Sequence, residues 1–178
     1  AHAPLSTLLV SAAADRVASP PALVPLPRVL QADSGEFVLD ASSAWVCDKS
    51  ARAVFVRAKR ELEPALGFEL AEGKRGKSKV QFRKVTKGWV LGDEGYRFKS
   101  SPNNILIEAS TDQGLYYGLQ TLRQLRPPSI YRKSPQSQTW SVPAVTIEDS
   151  PRFPWRGSHL DVARHFMPKS AVLKYIDL

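Results

Sequence analysis

The chain has 178 residues, 43% of them hydrophobic and 24% charged, with 25 Lys and Arg against 17 Asp and Glu for a formal charge of +8. That length allows one core plus a partial second unit, and the balance is that of a folded globular protein, which excludes disorder throughout. A single cysteine, Cys47, excludes an intrachain disulfide; no Cys/His spacing fits a metal site, and no run approaches the ~20 apolar residues of a membrane span.

The excess positive charge does not point to nucleic acid. Its densest cluster, Lys74-Arg75-Gly76-Lys77-Ser78-Lys79, sits between an expected helix and an expected strand and reads as a solvated turn. No aromatic residues interleave with it to stack on bases, so no nucleic-acid partner is expected.

In chain order, residues 1–24 form an N-terminal segment. Leu5 to Ala14, LSTLLVSAAA, has the length and small-residue tail of a signal-peptide apolar region, without an initiator Met or a basic stretch before it. Export is the expectation, and a short helix or tail the alternative. The next stretch, Ser19 to Pro27, carries four prolines and reads as a linker or lead-in strand. Glu36 to Leu39 is short, apolar and bounded by turn formers, hence a strand. Ala51, Val54, Phe55, Ala58 and Leu62 recur at intervals of three and four, predicting a helix with Asp48 as N-cap and Pro64 with Gly67 as its stop. Cys47 then reads as a small apolar filler near the start of that helix.

The period next changes to two. KVQFRKV, GYRFKS and NNILIEAS predict three strands, the last two joined by the turn Ser101-Pro102-Asn103-Asn104 and therefore antiparallel neighbours. Ser110 with Gln113 suggests a capping box for a second helix. Leu115, Leu119, Leu122 and Leu125 with Tyr116 form its apolar face, and Arg126-Pro127-Pro128 ends it. Ser129 to Gln138 reads as a surface loop, and WSVPAVTIED resumes extended structure up to a boundary near Ser150. The expected fold class is α+β, an antiparallel-rich sheet with two helices packed on it over residues 25–150. Residues 151–178 then show a short apolar strand pattern followed by the start of an amphipathic helix.

Two passages, EGYRFKSSPNNILIEASTDQGLYYGLQTLRQL and SPRFPWRGSHLDVARHF, resemble in this order the family 20 glycoside hydrolases, the β-N-acetylhexosaminidases. The first is similar to the last strands and long helix of that family's non-catalytic N-terminal domain. The second is similar to the entry into its catalytic (β/α)8 barrel, which needs roughly 250 residues to close. The resemblance implies that residues 151–178 are the first strand and part of the first helix of such a barrel. It implies an exo-acting hydrolase that removes terminal β-linked N-acetylglucosamine or N-acetylgalactosamine without a cofactor. The mechanism implied is retaining: the sugar's acetamido oxygen attacks the anomeric carbon, an Asp orients that group and the adjacent Glu protonates the leaving oxygen, an exception to the two-carboxylate scheme.

No catalytic residue is assigned in this chain. The family's Asp-Glu pair lies on a later barrel strand, and Asp93-Glu94 sits in the N-terminal domain and matches nothing in that motif, so the 178 residues by themselves are expected to be inactive. One substrate-binding residue carries over. Arg156, in Trp155-Arg156-Gly157, matches the arginine that hydrogen-bonds hydroxyls of the terminal sugar, a task suited to a planar fork of fixed donors. The alternative for Arg156 is pairing with a carboxylate at the domain junction. His159 and Asp161 fall on one face of the expected strand, with Leu160 and Val162 on the other. Asp161, Arg164 and His165 read as a polar network shaping the barrel rim, and Phe153 and Trp155 as packing at the domain junction. The other function class is a stand-alone, non-catalytic binding or interaction module derived from such an enzyme. It would leave Leu160, Val162, Phe166, Val172, Leu173 and Ile176 exposed.

Overall fold

The structure is a computed structural model describing residues 21–73 and 76–177. The expectations for Leu5 to Ala14, and those for Lys74 and Arg75, fall outside these residues. Strands β1 (Val29–Leu39), β2 (Ala44–Cys47), β3 (Lys79–Lys84), β4 (Tyr96–Ser101), β5 (Asn104–Ala109) and β6 (Trp140–Asp149) form one sheet in the order β1-β6-β4-β5-β3-β2. The pairs β1–β6, β6–β4 and β4–β5 are antiparallel, whereas β5–β3 and β3–β2 are parallel. Helices α1 (Arg52–Leu66) and α2 (Asp112–Gln124) pack on this sheet, and α3 (Lys169–Ile176) lies in the C-terminal segment. The fold is thus α+β with an antiparallel-rich sheet. Each parallel step is made by a connection that carries a helix or a further strand, as crossover geometry requires.

Period-two alternation explains which face is covered. Val80 and Phe82 of β3, Tyr96, Phe98 and Ser100 of β4, and Ile105, Ile107 and Ala109 of β5 are buried under the helices. Apart from Leu106, their neighbours on the opposite face are polar, and four of them pair across strands: Arg83 with Glu108, and Arg97 with Glu148 at 2.8 Å, with Arg97 opposite Glu108 in the β4–β5 register. Charges therefore alternate in sign along that face, which keeps it wet. In β6 the buried phase slips from Trp140 and Val142 to Val145 and Ile147, beside the irregularity between Ala32 and Glu36 of β1. Ser100 repairs the ladder there. Its hydroxyl donates to the Pro143 carbonyl at 2.6 Å and accepts from the Val145 N–H at 2.9 Å.

Several local expectations are corrected. The first strand begins at Val29 rather than Glu36, and β2 is an additional strand, so Cys47, expected near the start of a helix, ends a strand just ahead of the turn into α1. Asp48 makes no side-chain cap; its carbonyl accepts from the Ala51 N–H at 2.9 Å and starts a 3-10 turn that leads into α1. Pro64 lies inside α1 and does not stop it, because a last-turn proline forfeits only one ladder bond. Gly67 is the stop: at φ 75° it takes the left-handed cap conformation, and its N–H donates to the Glu63 carbonyl at 2.9 Å. The capping box is displaced by one residue. Thr111 is the N-cap of α2, its Oγ1 accepting from the Gly114 N–H at 3.2 Å, while Gln113 turns away from the helix end. The expected loop after α2 contains a 3-10 turn, Pro128–Tyr131, that buries Ile130.

Two buried polar groups carry electrostatic consequences. Arg126 is buried at the end of α2 with no partner among the described residues for its three guanidinium nitrogens, and burial pushes it down to about 9. Burial there disfavours the charge, so Arg126 costs the fold stability at neutral pH. Tyr96 shares a hydrogen bond of 2.6 Å with the Thr121 hydroxyl, and burial pushes its phenol from 10.0 up to about 12. Below pH 10.0 the phenol is neutral folded and unfolded; between 10.0 and about 12 only the unfolded chain releases the proton, so stability falls as pH climbs through that window. Urea midpoints measured across it should fall in the parent and fall less steeply in Tyr96→Phe. Equal slopes would show that this phenol is not the group responsible.

The C-terminal segment departs from expectation in one respect. Residues 158–162 form no strand, and α3 buries none of its residues. A barrel strand needs flanking strands for its ladder, and none of the described strands pairs with this segment. Phe153 and Trp155 are 63% and 91% exposed, so their expected packing at the junction is absent within the described residues.

Candidate functional site

A polar cluster forms where the C-terminal segment passes the N-terminal end of α2. Its foundation is the loop before β4. Trp89 Nε1 donates to the Gly92 carbonyl at 2.8 Å, and the Ser110 hydroxyl donates to the same oxygen at 3.2 Å. Thr111 Oγ1 donates to the Asp93 carbonyl at 2.5 Å. Gly92 turns at φ 74°, and the helix meets the loop at Gly114, where an added Cβ would fall 2.7 Å from Ala109 Cβ and closer still to the Gly95 carbonyl oxygen. The next residue before Gly95, Glu94, is thereby mounted on a fixed base.

Glu94 holds Arg156. Nη2 of Arg156 donates to Glu94 Oε1 at 2.5 Å and Nη1 to Oε2 at 3.1 Å, an end-on bidentate pair. Tyr117 of α2 accepts from Nη2 at 3.0 Å and donates to Glu94 Oε1 at 3.2 Å; Gln113 Nε2 donates to that same oxygen at 2.5 Å. The Phe153 carbonyl accepts from Nη1. All four terminal N–H groups are thus engaged, and among the described residues only the Nε–H of Arg156 lacks an acceptor. The hydrogen bond from Arg156 holds the Glu94 carboxyl below its ordinary 4.5, and Glu94 in turn raises Arg156. A depressed carboxyl contributes above its unfolded value, and that contribution is lost as pH falls through the folded value; the pair is therefore intact at neutral pH.

The junction pairing weighed from the sequence is what the described residues show for Arg156. Glu94, Gln113 and Tyr117 were not foreseen as its partners. From the sequence, Gln113 reads as part of a cap and Asp93-Glu94 as a doublet outside the family's catalytic motif. The expected rim network is partial: Arg164 pairs with Asp161 at 3.2 Å, and Asp161 Oδ1 accepts from the Ala163 N–H at 2.9 Å, but His165 does not join and His159 contributes only its carbonyl, to the Tyr175 hydroxyl at 3.3 Å. The Cys47 thiol is half-buried at the end of β2. Burial and the neighbouring Glu72 push it up, which disfavours the thiolate that a nucleophile needs. No group of three or more His, Cys, Asp or Glu among the described residues is placed to hold a metal ion, and no described helix is long and apolar enough to cross a membrane.

Comparison with known proteins agrees with the fold. The family model for glycosyl hydrolase family 20, domain 2, matches residues 20–150, and that for the catalytic domain of the same family matches residues 153–178. The chain belongs to glycosyl hydrolase family 20. It is 35% identical over 150 residues to a β-N-acetylhexosaminidase of Cellulomonas fimi, covering 82% of this chain and 29% of that protein. It is 28% identical over 160 residues to a β-hexosaminidase of Porphyromonas gingivalis, covering 88% and 20%. The structure of the β-N-acetylhexosaminidase from Streptomyces coelicolor A3(2) superposes with a TM-score of 0.75 at 35% identity, over 85% of this chain and 31% of that one. A mutant Streptomyces plicatus β-hexosaminidase in complex with the product GlcNAc gives 0.72 at 36%, over 85% and 30%. The chain therefore spans less than a third of the length of these relatives.

Proposed function

We propose that the chain is the N-terminal portion of an exported exo-β-N-acetylhexosaminidase, which removes terminal β-linked N-acetylglucosamine or N-acetylgalactosamine by the retaining, acetamido-assisted route. The observation that carries the reading is the succession of the two family 20 matches, the second beginning at residue 153, three residues before Arg156. Arg156 is the one residue assigned to the substrate, donating to neutral sugar hydroxyls. The Asp and Glu of the reaction are assigned to chain beyond these 178 residues. Against the stand-alone module, Phe153, Trp155, Phe166, Leu173 and Ile176 are exposed on a segment that shields none of them.

The test is hydrolysis of a chromogenic N-acetyl-β-glucosaminide by the complete enzyme, with the product's anomeric configuration followed by NMR. Retention is expected, and Arg156→Ala should lower kcat/KM by about ten-fold or more, because hydroxyl donors of this kind hold the sugar in both ground and transition states. Inversion, or an unchanged kcat/KM, would refute the mechanism or the residue assignment respectively. For export, supported by the Leu5 to Ala14 run, mass spectrometry of the secreted protein should find a start after Ala14.

A further inference from the structure

We infer that Glu94 is the anchor by which the first domain holds and aims the segment that the catalytic family model matches, with Arg156 as that segment's handle. This role is independent of any contact with substrate, and it is read by cleavage and not by turnover. Among the described residues, every side-chain hydrogen bond or ion pair that crosses from residues 151–177 to the first domain is made by Arg156, with Glu94 and Tyr117 as its partners. The segment's other contacts of this kind stay inside it: Ser158 with Tyr175, Tyr175 with the His159 carbonyl, and Asp161 with Arg164. The backbone bonds donated by Ala171, Val172 and Asp177 are internal too. Apolar burial adds little, since Phe153 and Trp155 are largely exposed and α3 buries no residue. One charged pair therefore decides where this stretch of chain lies.

The strand register explains why the handle meets this carboxylate. β6 ends at Asp149 opposite Tyr96, the first residue of β4, so the chain leaving β6 runs on beside the loop that precedes β4, where Glu94 stands. The β6 ladder fixes one end of residues 150–155 and Glu94 fixes the other, while Arg156 Nη1 also donates to the Phe153 carbonyl and closes the turn between them. Two fixed ends give the segment a direction as well as a position. The anchor is rigid. Gln113 and Tyr117, one helical turn apart on α2, both donate to Glu94 Oε1, and Trp89, Ser110 and Thr111 fasten the Gly92 and Asp93 carbonyls beneath it. A bidentate guanidinium–carboxylate pair on such a base sets the angle of approach, which the point charge of a lysine would leave free.

The peptide bond after Arg156 reports directly on the anchor. Trypsin must take an arginine side chain into its S1 pocket, and a guanidinium held end-on by Glu94 is withheld from it. Where opening is fast relative to cleavage, the rate tracks the population of the open form. The experiment digests the 178-residue chain and its Glu94→Ala and Glu94→Gln variants with trypsin under native conditions. Mass spectrometry follows two bonds, the one after Arg156 and, as control, the one after Lys133, an exposed residue of the loop after α2. Glu94→Ala should speed cleavage after Arg156 about five-fold or more and leave cleavage after Lys133 within about two-fold of the parent. Glu94→Gln, whose amide oxygen still accepts from one terminal nitrogen, should fall between the two. An unchanged rate after Arg156 in both variants overturns the inference. Equal acceleration at both bonds also overturns it, because the first domain would then have loosened as a whole. Should Glu94→Ala fail to accumulate, the isosteric Glu94→Gln decides: faster cleavage after Arg156 alone supports the inference, and an unchanged rate overturns it.

Discussion

Trp45→Ala should lower the folding free energy of this domain by about 3–5 kcal/mol, the cost of deleting a large aromatic from a packed interior. Trp45 is 0% exposed at the centre of the core. Its ring lies 6.0 Å from that of Phe82 on β3, stacked at 30°, and 6.2 Å from that of Phe55 on α1, tilted at 40°. It therefore joins the parallel edge of the sheet to the first helix. Its backbone is engaged as well, the N–H donating to the Ala71 carbonyl at 2.8 Å and the carbonyl accepting from the Gly73 N–H at 3.0 Å, which closes the return from α1. The buried indole Nε1 has no partner among the described residues, so packing carries most of the ring's contribution and Trp45→Phe should cost far less, about 1–2 kcal/mol. Urea unfolding followed by far-UV circular dichroism separates the two variants. A loss under about 1 kcal/mol for alanine would show that the ring is not the centre of this core.

Gly114→Val is expected to cost about 3 kcal/mol, the upper end of overpacking penalties, and to disturb the Arg156 cluster at the same time. Gly114 is buried in the first turn of α2, where a Cβ would press on Ala109 Cβ and the Gly95 carbonyl. Both obstacles belong to regular or fastened backbone and cannot swing aside like a flexible side chain. Relief must come from moving α2 away from β5 or from shifting the Gly92–Gly95 loop, and the second response carries Glu94 with it. In the complete enzyme the variant should thus show a lowered thermal midpoint. A thermal midpoint equal to the parent's would mean that the helix stands further from the loop than the structure places it.

The elements legible in the sequence share one property: their hydrophobic period is long enough to be counted. Helix α1 was readable from Ala51 to Leu62, α2 from four leucines, and β4 and β5 from alternation on either side of a proline-asparagine turn. Strand β2 was missed because four residues cannot show a period, and the first half of β1 because Gln31, Asp33 and Ser34 are exposed and carry no apolar signal. The displaced cap has a similar cause. Ser110 and Thr111 are adjacent hydroxyl residues, and only the backbone angles of α2 decide that Thr111 caps while Ser110 serves the loop.

The sequence by itself determined the α+β class, the antiparallel β4–β5 pair, the succession of two family 20 passages and the identity of Arg156 as a residue of interest, because these depend on residue type and short-range spacing. The tertiary structure decided which carboxylate meets Arg156 and with what geometry. Glu94 and Arg156 stand 62 positions apart, and Tyr117 39 from Arg156. No local pattern encodes such a meeting; it exists because the loop before β4, the first turns of α2 and the chain leaving β6 are brought to one end of the same sheet.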